Sequence, residues 1–100
     1  MLRRCMRHIS EYNYWRRRAI PFAQKLAERI SALKGQLYTG CGFHYDLEND
    51  IVKMTHLLAE LQPYTKNGWG WSIAIQVRLE SLAVRVKRAE ESAKTWAAEL

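Results

Sequence analysis

The amino-acid sequence predicts an all-α chain, an elongated antiparallel bundle of three long helices over about residues 2–38, 46–62 and 72–100. Three observations predict it. Apolar residues recur in alternating steps of three and four along all three segments, the signature of one buried helical face. Gly and Pro are scarce, five and two, so the tight turns of a many-stranded sheet are missing. A 48% apolar fraction is enough to build a core, and 100 residues is the size of one domain.

The last segment reads most clearly. Ile75, Leu79, Leu82, Val86, Ala89, Ala93, Trp96 and Leu100 form an unbroken seam. Ser72 is placed to cap its start, behind Gly68 and Gly70. At 1.5 Å per residue the helix is about 40 Å long. In the middle segment Leu47, Ile51, Met54, Leu58 and Leu61 repeat the rhythm. Asp46 is expected to cap it, and Pro63 to end it, because proline disfavours helix in the residue before it.

The first segment carries Tyr12, Trp15, Ala19, Phe22, Leu26, Ile30, Leu33 and Leu37 on one stripe that passes through Pro21. Either a new helix starts at Pro21 or one long helix is kinked there; the unbroken phase favours one helix. Gly40-Cys41-Gly42 then turns the chain back. A compact domain of this length has a radius of gyration of about 13 Å, too small for 40 Å helices. The bundle should therefore be elongated, with its first and last helices antiparallel. The short middle helix would leave part of the long seams open to a homodimer or another partner.

Charge is unevenly spread. Residues 1–34 hold nine basic and two acidic side chains, while the remainder is close to neutral within a total of +6. The excess points to an acidic protein, nucleic acid or an anionic membrane surface, or else to a solvated helix face. Arg3, Arg7, Tyr14, Arg18, Lys25 and Arg29 fall near one face of the first helix, beside the apolar seam. Arginine can grip phosphate or carboxylate bidentately, and interleaved aromatics can stack on bases. Tyr64, Trp69 and Trp71 cluster in a turn around Asn67-Gly68 and Gly70. Such aromatics are either binding hot spots or plugs for the end of the bundle.

Little supports other chemistry. Cys5/His8 and Cys41/His44 are Cys-x-x-His steps, but zinc sites usually pair two Cys together, and an uninterrupted first helix would hold the pairs about 50 Å apart. No metal or other cofactor is expected. His56 and Glu60 share a helical face without forming HExxH, and Ser72 has no catalytic partner motif. No apolar run reaches the roughly 20 residues of a membrane span, and no secretory signal opens the chain, so a cytoplasmic protein with reduced thiols is expected.

The sequence thus suggests a non-enzymatic small basic protein that docks on and modulates, or inhibits, a larger acidic protein or nucleoprotein complex. Small accessory proteins of bacteriophages and mobile elements often have this character, an association rather than a derivation. Arg16, Arg17, Arg18, Trp15, Trp69 and Trp71 are the expected partner-binding residues. The alternative is direct DNA or RNA binding through Arg3, Arg7, Tyr14, Arg18, Lys25 and Arg29.

Overall fold

The computed structural model describes the backbone of residues 2–39, 45–66 and 70–99, with side chains over 11–36, 46–66 and 70–95. Three helices follow in order: α1 Leu2–Thr39, α2 Tyr45–Thr65 and α3 Ile73–Glu99. There is no strand among the described residues. The bundle is elongated, with extents of 61 × 22 × 17 Å and a radius of gyration of 16.8 Å. The long extent follows from α1, whose 38 residues rise about 57 Å.

The core is built from the three stripes, with one correction on α1: Trp15 is exposed and Phe22 only partly buried, and the buried phase there runs Tyr12, Arg16, Ala19, Ala23 and Leu26 in heptad steps. Ala19, Leu26, Ile30 and Leu33 of α1 are buried with Leu47, Ile51, Met54, Leu58 and Leu61 of α2 and Ile75, Leu79, Leu82, Val86, Ala89 and Ala93 of α3. Ala23 joins them, while Tyr12 and Phe22 pack partly buried at the edge. Each helix touches both others, as three amphipathic faces sharing one apolar axis require.

α1 runs through Pro21 as one helix. Pro21 is exposed, as is Arg17 four residues earlier. The carbonyl that loses its helical donor therefore lies on the side of the helix that water reaches, which limits the disruption. The same reason corrects the expected end of α2. That helix continues past Pro63 to Thr65, with Pro63 and Ala59 both exposed. It closes through the Lys66 N–H donating to the Gln62 carbonyl at 2.9 Å. The buried Thr65 hydroxyl donates to the Leu61 and Gln62 carbonyls, 3.3 Å each.

Asp46 is not the cap of α2. The helix has already begun at Tyr45, so Asp46 and Glu48 stand in its first turn, where their charge favours the positive end of the helix dipole. Ser72 does cap α3: the Ile75 N–H donates to its hydroxyl at 3.3 Å, and the Gln76 N–H to its carbonyl at 3.0 Å.

The relative direction of α1 and α3 corrects another expectation. Tyr12 meets Trp71 near the start of α3, and Arg29 meets Glu90 further along both helices. The two helices are therefore parallel, and each is antiparallel to α2. Two successive reversals of the chain restore its first direction, so a three-helix bundle with short connections places its outer pair head to head. Gly40-Cys41-Gly42, expected to make the first reversal, lies outside the described residues.

Candidate partner-binding site

Parallel packing opens a groove between α1 and α3. One stretch, about 620 Å³, is lined by Glu11, Tyr12 and Trp15 from α1 and by Trp71, Ser72, Ile73, Gln76, Val77 and Glu80 from and just before α3. A second stretch continues along α1 past Trp15, Arg18, Pro21, Phe22, Gln24, Lys25 and Glu28, with Gln76 and Glu80 opposite. Trp15, Gln76 and Glu80 border both.

Trp15 holds a large apolar ring 43% exposed at this junction, and neighbouring Tyr14 is 49% exposed. Their rings meet edge to face, centroids 5.3 Å apart and planes at 86°. The Arg18 guanidinium lies over the Tyr14 ring, 3.9 Å from its centroid. Tyr14 and Arg18 are four apart on one helix and so share a face, which is why the sequence places them in contact. A cation over an aromatic face at an exposed site contributes about 0.5–1 kcal/mol. The trio is thus preorganised beside an apolar floor, with the cations Arg18 and Lys25 confined to the second stretch of the groove and the carboxylates Glu11, Glu28 and Glu80 also on its walls.

The expected site residues divide. Arg17, Arg18 and Trp15 are exposed on α1. Arg16 is buried at 7% exposure and donates through NH2 to the Asn13 Oδ1 at 3.2 Å, so it belongs to the packed side of α1. Three successive arginines fan around a helix at about 100° each, and Arg16 is the one that falls on the buried phase of Ala19 and Ala23. Trp71 is also buried, at 8% exposure. Its indole Nε1–H donates to the Gln76 Oε1 at 3.0 Å while its ring packs on Tyr12. It is the plug, and only its rim reaches the groove. Trp69 lies outside the described residues.

The stripe proposed for nucleic acid is also reduced. Tyr14, Arg18 and Lys25 are exposed together. Arg29 instead grips Glu90 with two donors, Nε at 3.1 Å from Oε2 and NH2 on Oε1. That hydrogen bond raises the Arg29 pKa and holds the Glu90 carboxyl below its ordinary value. Arg3 and Arg7 stand on the helical backbone of α1, and their side chains lie outside the described residues.

Ile73 and Val77, which complete the apolar wall, were missed at the sequence level. The signal was available: β-branched residues stand off the core phase of α3, where a solvent-facing helix position favours Ala, Glu, Lys or Gln.

No group of three or more His, Cys, Asp or Glu side chains that could hold a metal occurs among the described residues. Both Cys-x-x-His pairs fall outside the described side chains. His56 is exposed, and Glu60 pairs with Arg78 across α2 and α3 at 3.0 Å. No helix among the described residues is long and apolar enough to cross a membrane.

Fold and site together define a three-helix bundle carrying an aromatic surface groove whose rim holds charges of both signs. No family model, no curated protein and no solved structure matches the chain.

Proposed function

We propose that the chain is a non-enzymatic binding protein that docks on an acidic segment of a larger protein or nucleoprotein complex and modulates, or inhibits, that partner. The observation that carries this reading is the Tyr14–Trp15–Arg18 cluster, in which Arg18 lies over the exposed Tyr14 ring, Tyr14 meets Trp15 edge to face, and Trp15 borders the apolar groove. Trp, Tyr and Arg are the side chains that most often dominate binding energy at protein interfaces. Arg17, Arg18 and Lys25 supply cations for carboxylates at the rim, and Trp15, Ile73 and Val77 supply area to be desolvated. Modulation by occupancy is the simplest mechanism for such a surface.

The test is affinity capture from the native host with the wild type, Trp15→Ala and the double variant Arg17→Glu/Arg18→Glu, alongside duplex and single-stranded nucleic acid over a salt series. The expected result is one partner held by the wild type, lost with Trp15→Ala, weakened by the charge reversals and only moderately sensitive to salt. Phosphate contacts would instead give a steep log–log loss of affinity with salt. Tight nucleic-acid binding with that slope, indifferent to Trp15→Ala, would replace this reading with the nucleic-acid one.

A further inference from the structure

α3 carries two seams. The first faces the core. The second, Ala74, Val77, Ser81, Val84 and Arg88, runs in steps of three, four, three and four along the opposite face, and every one of these residues is exposed. Ile73 stands beside it at 75% exposure, with Val77 at 55% and Val84 at 50%. A heptad rhythm with β-branched residues on a water-facing helix is the pattern of a helix that meets another helix.

We propose that this face pairs with the same face of a second copy, α3 alongside α3 in parallel, as a two-fold dimer. The balance of charge favours this occupant and this direction. In a parallel pair, the residue preceding each first-row seam position lies across from the one five places later in the partner helix. Here that rule brings Glu80 opposite Arg85 of the second copy, twice by symmetry. In an antiparallel pair each flank meets itself. The flank of Arg78 and Arg85 would then face cations with cations in both copies, while Glu80 would meet either its own counterpart or Lys87, the other charge on its flank. Arg78 is held by Glu60 within the chain, whereas Arg85 has no carboxylate within ion-pair distance among the described residues. The apolar stretch from Ile73 to Val84 is about three turns long, and Arg88 beyond it would meet its own copy across the two-fold axis, so the pairing is weak and concentration-dependent. Ile73 and Val77 also border the Trp15 groove, so the pairing and a partner in that groove compete for one wall.

Molar mass measured by sedimentation equilibrium over a concentration series tests the proposal without any partner. The wild type should rise from its 11.8 kDa toward twice that value. Val77→Glu, at an exposed position, should stay monomeric with an unchanged circular dichroism spectrum. Glu80→Arg should weaken the dimer about tenfold, and Glu80→Arg/Arg85→Glu should restore it to within about twofold. Residues five apart do not face each other on one helix, so this rescue has no explanation within a single chain. With Cys5→Ser and Cys41→Ser in place, Ala74→Cys should cross-link two copies on mild oxidation. A mass that remains monomeric up to about 1 mM would overturn the proposal. A dimer in which the double charge swap fails to rescue would overturn it as well.

Discussion

Tyr12 of α1 and Trp71, just before α3, meet edge on, with ring centroids 5.6 Å apart and planes at 69°. This contact sets the register of α1 against α3 at one end, as Arg29 with Glu90 does further along. It also closes the inner end of the groove in which Trp15 stands. Replacing Trp71 by Ala should lower stability by about 3–5 kcal/mol, as loss of a buried Trp usually does. Trp71→Phe should cost less, since it keeps an aromatic against Tyr12 and gives up only the bond to Gln76. Urea denaturation of the two variants measures both, and an unmoved midpoint in Trp71→Ala would remove the plug from the account.

The three arginines before Pro21 should respond unequally. Arg16 is packed against the bundle, so Arg16→Glu buries a carboxylate in place of a bonded guanidinium and should cost at least about 2 kcal/mol. Arg17→Glu sits in water and should change stability by no more than about 0.5 kcal/mol. Thermal melts of the pair check this directly.

The Arg29–Glu90 pair predicts a small dependence on acid. The hydrogen bond from Arg29 lowers the Glu90 pKa first, and partial burial opposes it; the charges of Arg29 and Lys94 add to the lowering. A carboxyl lowered by folding stabilises the fold above its unfolded pKa and loses that contribution as pH falls through the folded value. Both side chains are more than a third exposed, 39% and 36%, so solvent screens them and the contribution is below about 1 kcal/mol. Glu90→Gln should therefore be slightly less stable than the wild type at about pH 7, and the gap should shrink as the pH falls below the ordinary glutamate pKa of about 4.3. Denaturant midpoints on either side of that pKa measure the gap, which high salt should also narrow. A gap that widens in acid would contradict the assignment.

The two seams of α3 predict opposite responses to one kind of change. Leu79→Ala opens a cavity at a fully buried position and should cost about 2–5 kcal/mol. Val84→Ala on the outer face removes a β-branched residue from an exposed helix position. In dilute monomer it should leave stability unchanged or raise it by about 0.5 kcal/mol. Chemical denaturation at micromolar concentration separates the two.

Much of the architecture was legible in the residues. The α3 seam placed that helix to within a residue at each end, and Ser72 caps it because a hydroxyl there satisfies an N–H that has no carbonyl to bond. The α1 stripe kept its phase across Pro21, and the helix does too. Pro63 misled because its preference is local and modest, while burial of Leu61 and Thr65 holds the last turn of α2 in place. In the site, Tyr14 and Arg18 could be paired from their spacing alone. Arg16 falls on the phase Tyr12, Arg16, Ala19, Ala23 and Leu26, a signal that the stripe through Trp15 and Phe22 passed over; that Arg29 is committed to Glu90, and that Ile73 and Val77 face Trp15, could not be read, since each depends on a second helix.

What the sequence determined by itself is everything a single helix can know: where it starts, which face is apolar, and which side chains stand four apart. The rhythm of three and four is a property of one strand of backbone and needs no neighbour. The tertiary structure alone decided which residues of α1 and α3 meet, that Arg29 is committed to Glu90, and that two apolar residues outside the core phase form one wall of a groove. Those outcomes come from how three cylinders share one apolar axis after two reversals of the chain, and no periodicity within a helix encodes the register between helices.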